Sequence, residues 1–308
     1  MQNPGRRARL RRDVDGVLLL DKPVGKTSNE ALQQVKHWFQ ARKAGHTGSL
    51  DRTASGMLPL CMGEATKFSS LLLEADKHYV ATCRLGIQTA TGDAAGDIVA
   101  TRSVPPISRE RMEEALRRFL GQIEQVPPMF SALKHQGQRL YELAYQGIEV
   151  ERAPRTVVVH ELELQRQEGE EFEIRIVCSK GTYIRTLAQD IGEFLGCGAH
   201  VSALRRTGSG PFREHEMISM ARLEALSTQG LEALDACLLG IGALLRDAPV
   251  VALADSVAYY FRQGQPVMVP HAPTRGMVAI YGDAGRFLGV GEVLDDGRIA
   301  PRRLVNID

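Results

Sequence analysis

An α+β fold is the expectation for this chain, with residues 250–308 forming a small β domain of their own. Three observations lead there. Up to about residue 249, stretches with apolar residues at helical spacing are interleaved with short strand-like runs. From about Val250 the texture changes to short strands closed by tight turns. The 308 residues, 44% of them hydrophobic, are enough to bury one large core and a second small one.

Composition narrows the function classes. A net charge of +1 does not announce nucleic-acid binding, which would need positive charge gathered on one face. The five cysteines (Cys61, Cys83, Cys178, Cys197, Cys237) are an odd number and form no CxxC pair, which points to reduced thiols and away from a disulfide framework or a cysteine-rich zinc site. The eight histidines contain no HExxH, so neither a structural nor a catalytic zinc is expected, and no metal site is assigned. Arg6, Arg7, Arg9, Arg11 and Arg12 make residues 1–12 a basic, flexible arm, either touching RNA phosphates or simply solvated. Only Val17-Leu18-Leu19-Leu20 follows, too short for a signal peptide, and no run approaches a transmembrane helix. The expectation is a cytoplasmic protein without a membrane partner, with a monomer as the default.

Residues 16–20 read as a short buried strand. Gly25-Lys26-Thr27 is not a phosphate loop, because that motif needs a glycine five positions before Gly25 and Leu20 stands there. Thr27 and Glu30 instead make a capping box for a helix whose apolar face is Ala31, Leu32, Val35, Trp38 and Phe39. Residues 43–59 show neither helical nor strand period and read as an ordered loop, anchored by the apolar run that begins at Met57. Within it Gly45, Gly48 and Gly56 bracket a single carboxylate, Asp51. Such a residue is either a catalytic nucleophile or an Asx-turn aspartate bonded to its own backbone.

Residues 65–74 read as a helix and 78–86 as a strand with Tyr79, Ala81, Cys83 and Leu85 on one face. Tyr79 is either half-buried packing or a stacking platform. Residues 89–97 form a polar loop, Pro105-Pro106 breaks the chain, and Met112, Leu116, Phe119 and Leu120 mark a helix. Lys134, His135 and Arg139 beside Phe130 and Tyr141 interleave cations with aromatics, as a surface for loop RNA would; the alternative is a hairpin tucked on the core. Strands are expected over 156–164 and 172–178, ending before Gly181. Ile184, Leu187, Ala188, Ile191 and Leu195 then line a helix closed by Gly196, which puts Tyr183 and Arg185 in its first turn, or makes them a core aromatic and a surface ion-pair partner. Residues 196–207 turn into a strand on which Arg205 and Arg206 face opposite sides, one free to reach solvent or phosphate. Strands 277–281, 286–293 and 298–305 complete the small β domain, with Arg298, Arg302 and Arg303 as a basic edge.

Four stretches, in order, resemble one family. They are Leu19-Leu20-Asp21-Lys22-Pro23-Val24-Gly25-Lys26-Thr27-Ser28; Gly45-His46-Thr47-Gly48-Ser49-Leu50-Asp51 with Ala54-Ser55-Gly56-Met57-Leu58-Pro59 and Gly63-Glu64-Ala65-Thr66-Lys67; Pro127-Pro128-Met129 with Ser131-Ala132-Leu133-Lys134; and Lys180-Gly181-Thr182-Tyr183-Ile184-Arg185. Together they resemble the bacterial TruB-type tRNA pseudouridine synthases, and the likeness runs over nearly the whole chain. The resemblance implies the pseudouridine-synthase fold: a central mixed, mainly antiparallel sheet flanked by helices. It implies a catalytic domain at 13–249 with an RNA-clasping insertion at about 124–152, and a PUA-like RNA-binding domain at 250–308. The reaction implied is isomerisation of uridine to pseudouridine at position 55, in the T-loop of tRNA, after the base is flipped from its stack. No cofactor and no obligate protein partner are implied, and a synthase of this kind can also remodel tRNA.

By the same resemblance Asp51 is the nucleophile, Arg185 pairs with it and holds it anionic, and Tyr183 lies near the base and could accept the C5 proton. Tyr79 stacks on the flipped uracil, His46 fills its vacated place in the T-loop, and Leu204 is an apolar wall. Lys22, Lys67, Lys134 and Lys180 are implied RNA contacts. The chain departs from the family pattern at Arg52 and Thr53, where proline and leucine are usual, at Ser55 for threonine, and at Phe130 and His135, where tyrosines are common. Two rivals predict other outcomes. An RNA-folding module would bind tRNA with Asp51 dispensable. A glycosidase would need a second carboxylate, for which Asp21, Glu64 and Asp93 are available, and would release free uracil.

Overall fold

The computed structural model describes residues 11–306. Most of the basic arm, residues 1–10, lies outside them. Arg12, expected in the arm, is pinned: its guanidinium donates to Asp235 at 2.7 Å and to the carbonyl of Phe39 at 3.0 Å.

The chain enters β1 (Gly16–Lys22), α1 (Ser28–Trp38), β2 (Ala44–His46) and β3 (Ala54–Met62). The capping box Thr27–Glu30 starts α1. Next come α2 (Ser69–Glu74), β4 (Lys77–Leu85), the small pair β5 (Ile87–Thr89) and β6 (Ile98–Thr101), α3 (Arg109–Arg118) and β7 (Gly121–Gln125). A protruding segment carries the two-residue strands β8 (Lys134–His135) and β9 (Gln138–Arg139) and then α4 (Leu140–Tyr145). Gln136 and Gly137 between β8 and β9 both have positive φ, as a type I′ hairpin turn requires. The long hairpin β10 (Arg155–Glu168) and β11 (Glu171–Cys178) leads into α5 (Ile184–Phe194) and β12 (Ala199–Ser209). Short strands β13 (Phe212–Arg213) and β14 (Ile218–Ser219) and helices α6 (Met220–Ser227) and α7 (Leu231–Asp235) close this part. The C-terminal unit holds β15 (Val250–Ala252), α8 (Asp255–Arg262), β16 (Gly276–Tyr281), β17 (Phe287–Val293) and β18 (Ile299–Leu304).

One ten-stranded sheet organises the larger part, in the order β14-β1-β3-β12-β4-β11-β10-β7, with β13 on β12 and β2 on β3. β1 runs parallel to β14 and β3 parallel to β12; the other pairings are antiparallel. The fold is therefore the expected mixed, mainly antiparallel sheet with flanking helices and a separate four-stranded C-terminal sheet.

Two expectations about local structure change. The loop read over 43–59 is shorter, because its ends are strands β2 and β3. β3 is covered on both faces, so it shows no polar alternation. Leu58 and Leu60 pack with Leu18 and Leu20 of β1 against Ala31 and Val35 of α1, while Met57 and Cys61 pack with Val17 and Leu19 on the other face. Burying each such leucine contributes about 1.5–3 kcal/mol. Pro59 fits this strand because the partner on that edge changes there, from β12 up to Gly56 to β2 from Leu60. The helix read over 65–74 begins as a 3-10 turn over Gly63–Phe68. Asp15 takes the Glu64 N–H at 2.6 Å, and the Thr66 and Ser69 hydroxyls bond back three residues, competing with regular α-helix.

The C-terminal sheet has its own core around Val251, Phe261, Val278, Ile280 and Ile299. Its other face contributes Ala279 and Val290 to the core that holds Val17, Leu19 and Phe68, so the two units share apolar packing. The expected basic edge is partly neutralised: Arg298 pairs with Asp296 and Arg302 with Glu292, and Arg303 is exposed. Among the described residues no helix is long and apolar enough to cross a membrane.

Candidate active site

Residues 47–53 connect β2 to β3 and carry Asp51 over the end of the strands. The stem of this loop is closed by Thr47, whose N–H donates to the Pro59 carbonyl at 3.1 Å, and by the buried Leu50. The Asp51 side chain itself is 47% exposed.

Arg185 meets it. The start of α5 after the tight turn at Gly181, and the buried stripe Ile184, Leu187, Ala188 and Ile191, fix the rotation of the helix. That rotation points Arg185 inward, where its Nε lies 2.9 Å from Asp51 Oδ2 and its side chain is 6% exposed. Its other nitrogens donate to the carbonyls of Thr91 at 2.6 Å and Phe130 at 2.8 Å. One guanidinium thus joins the Asp51 loop, the loop after β5 and the protruding segment. Gly92 makes room for it: φ is +74°, and a Cβ there would stand 3.2 Å from the Arg185 Cβ.

Beside this pair lies an open cleft of about 360 Å³, lined by Asp51, Tyr79, Tyr183, Arg185, Leu204 and Arg206 among others. That volume falls in the usual range for small-ligand sites. Tyr79 and Tyr183 are half-buried, and burial pushes both phenols above their ordinary pKa. For Tyr79 the guanidinium of Arg206, its cross-strand partner, works partly against this. Tyr183 therefore stands in the cleft as a neutral phenol rather than a ready phenolate. Gln125 positions it: the Tyr183 N–H donates to Gln125 Oε1 at 3.0 Å and the Gln125 amide returns to the Tyr183 carbonyl at 3.3 Å.

Of the two adjacent arginines expected on opposite sides of a strand, Arg206 is the one that turns inward. It is 1% exposed, with Nε donating to the Met57 carbonyl at 2.6 Å and a terminal nitrogen to the Gly48 carbonyl at 3.0 Å. It thereby ties together the two flanks of the Asp51 loop. Gly56 permits this, since its φ is +98° and a Cβ there would lie 2.2 Å from the Arg206 carbonyl oxygen. Its neighbour Arg205 turns outward to Asp21 and Glu214. Sequence reasoning missed both Arg206 and Gln125. Adjacent arginines on one strand were the available signal for the first, and no local pattern marks the second.

His46, at the end of β2, has an Nδ1 that is buried without a hydrogen-bond partner, and burial, then Arg206, lowers its pKa. Lys180 lines the cleft and pairs with Glu74, and Lys134 is exposed on the β8–β9 hairpin. Lys22, implied as an RNA contact, has no exposed surface to offer one in this structure. It is 0% exposed, and its ammonium donates to the carbonyls of Pro23 at 2.8 Å and Lys26 at 2.7 Å. Burial brings its pKa down to about 8, with Asp51 acting the other way. Lys67 is likewise occupied, by Glu64, at the seam where the Asn306 N–H also reaches Glu64. Of the carboxylates available for a second catalytic role, Asp21 pairs with Arg205 and Glu64 with Lys67. Asp93, 7% exposed, accepts from the hydroxyls of Thr53 at 2.9 Å and Thr91 at 2.6 Å and from the Ala95 N–H at 3.0 Å. Among the described residues no three His, Cys, Asp or Glu side chains converge as metal ligands.

Comparison with known proteins agrees along the chain. Residues 36–184 match the model of the TruB family pseudouridylate synthase N-terminal domain, 185–246 that of the tRNA pseudouridylate synthase B C-terminal domain, and 249–305 that of the pseudouridine synthase II TruB C-terminal region. The chain is 56% identical over 293 residues to the tRNA pseudouridine synthase B of Nitrosococcus oceani, covering 95% of each. It is 53% identical over 296 residues to that of Coxiella burnetii strain RSA 493, covering 96% of each. Among solved structures it resembles a chain of a Cbf5-Nop10-Gar1 complex at TM-score 0.72 and 28% identity, covering 95% of this chain and 84% of that one. It also resembles a chain of an H/ACA RNP bound to a substrate RNA containing 2′-deoxyuridine, at TM-score 0.73 and 26% identity, with 95% and 85% covered.

Proposed function

The chain belongs to the TruB family of pseudouridylate synthases, and from that premise we propose that it isomerises uridine 55 in the T-loop of tRNA, with Asp51 as nucleophile. The observation that carries this reading is the Asp51–Arg185 pair at 2.9 Å, half open to a cleft walled by Tyr79, Tyr183 and Leu204.

In this reading the target base leaves its stack and enters the cleft, at the cost of a few kcal/mol of unstacking. Tyr79 offers an aromatic face and Leu204 an apolar wall. Arg185, held by two backbone carbonyls, supplies a fixed positive charge beside Asp51. The Asp51 carboxylate attacks the nucleoside, the N1–C1′ bond breaks, the uracil turns, C5 bonds to C1′, and the bond to Asp51 breaks again to return the free carboxylate. C5 loses a proton and N1 gains one, so the atoms balance without any imported group. Because Tyr183 is a neutral phenol, it can take the C5 proton only while passing its own proton on. His46 then occupies the place the base left in the T-loop.

The protruding segment is the proposed clasp on RNA. Tyr145, 79% exposed, packs edge-to-face on Phe130 and Tyr141, and the Arg139 guanidinium lies over Tyr141. Aromatic faces beside cations suit unpaired bases. The C-terminal β unit is proposed as a PUA-like RNA contact reaching beyond the loop, and remodelling of tRNA as a further activity. With tRNA as substrate, the cytoplasm is the proposed location and a monomer without an obligate protein partner the proposed state.

The test is incubation with a T-stem-loop RNA, followed by cyanoethylation and mass measurement. Conversion of one uridine with no uracil released is the expected result. Release of free uracil would favour the glycosidase, and tight binding without conversion an RNA-folding module.

A further inference from the structure

Both neighbours of Asp51 are bonded to residues 25–28, the end of the β1–α1 turn and the first residue of α1. Before it, the Ser28 hydroxyl accepts the Leu50 N–H at 2.8 Å and donates to the Leu50 carbonyl at 3.1 Å. After it, the Gly25 N–H donates to the Arg52 carbonyl at 2.8 Å, while the Arg52 guanidinium returns to the Gly25 carbonyl at 2.7 Å and to Glu30 Oε1 at 2.9 Å. The turn has its own internal support, since the buried Lys22 ammonium holds the carbonyls of Pro23 and Lys26. Glu30 is fixed in turn by accepting the Thr27 N–H at 2.7 Å.

We propose that Ser28 and Arg52 are positioning residues that clamp the backbone on both sides of Asp51 to the β1–α1 turn and the start of α1, setting the direction in which its carboxylate points. This rests on the reading of Asp51 as the reacting group. The need for such a clamp follows from exposure. Packing cannot orient a side chain that is 47% exposed, and Arg185 holds only its carboxylate end. The backbone end is fixed by hydrogen bonds: the Asp51 carbonyl accepts the Ala54 N–H at 3.1 Å, and the contacts on either side hold its two neighbours. Ser28 is 4% exposed and spends its donor and its acceptor on one residue, Leu50. Arg52 has a side chain 57% exposed, where an ion pair adds little to stability. Its loss should therefore appear in the rate and not in the melting temperature, which separates positioning from a structural role.

The experiment measures single-turnover conversion of a T-stem-loop RNA, and its Kd, for Ser28→Ala, Arg52→Ala, Arg52→Lys and Asp51→Asn. Misplacing a reacting group by about 1 Å costs about 100-fold in rate. Arg52→Ala and Ser28→Ala are expected to fall about 10- to 100-fold with Kd within about twofold of wild type. Arg52→Lys should be intermediate, because an ammonium reaches Gly25 or Glu30 but not both. Wild-type rate in Arg52→Ala, or a loss of Kd as large as the loss of rate, overturns the clamp; if Ser28→Ala does not fold, Arg52→Ala decides alone. An inactive Asp51→Asn beside a fully active Arg52→Ala sinks the clamp only, whereas an active Asp51→Asn sinks the reading beneath it.

Discussion

Replacing Arg206 by methionine should separate stability from activity. Arg206 is 1% exposed and donates two hydrogen bonds to the loop, to the carbonyls of Met57 and Gly48. Hydrogen bonds involving a charged group contribute about 1.5–3 kcal/mol each, so their removal costs about 3–6 kcal/mol gross. Methionine fills much of the space and removes the desolvation cost of a buried cation, itself several kcal/mol. The two terms nearly cancel, and the net change in unfolding free energy is expected within about 2 kcal/mol. Activity has no such compensation. With the flanks of the Asp51 loop untied, the single-turnover rate is expected to fall about 100-fold. Lysine should not rescue it, because a point charge reaches one carbonyl and not two. Urea unfolding and single-turnover conversion on the same preparations supply both numbers. A methionine variant within twofold of wild-type rate, or a lysine variant at full rate, would refute the brace.

Gly56→Ala should be far worse than a typical surface change: it places a Cβ 2.2 Å from a backbone oxygen at φ +98°, and a loss above about 4 kcal/mol in urea unfolding is expected. Lys22, with its pKa lowered to about 8, is charged below that pH and neutral above it, so the positive charge facing Asp51 is lost on the alkaline side. The rate should fall as pH rises through about 8, and Lys22→Met should flatten that limb. An unchanged limb in the variant would assign it elsewhere, with Lys77, also brought down to about 8 by burial, as the next group to replace. Gln125→Met should cost about 2–4 kcal/mol in urea unfolding, since it strands the Tyr183 N–H and carbonyl that Gln125 now satisfies.

Much of the architecture was legible because it is written in periodicity. The helical spacing from Ile184 to Leu195 and the alternation from Tyr79 to Leu85 each translate directly into a buried face. The run from Met57 to Met62 did not, because a strand covered on both faces loses its alternation and resembles a loop's apolar anchor. Asp51, Tyr79, the neighbours Tyr183 and Arg185, and Leu204 come from four separate stretches of the sequence, and the sheet brings them to one cleft. The residues that hold them in place were harder to find. Arg206, Lys22 and Gln125 are polar side chains spent on backbone carbonyls and amides, and sequence alone assigns such groups to solvent. The capping motif at Thr27 was readable, but not that the next hydroxyl, Ser28, reaches across to Leu50.

Asp51→Asn decides whether this carboxylate is the nucleophile. Asparagine keeps the shape of the side chain and removes its charge. In single turnover with a T-stem-loop RNA, the variant should bind the RNA and form no pseudouridine in the time the wild-type enzyme needs for complete conversion. Conversion at near the wild-type rate would contradict the assignment of Asp51 as nucleophile.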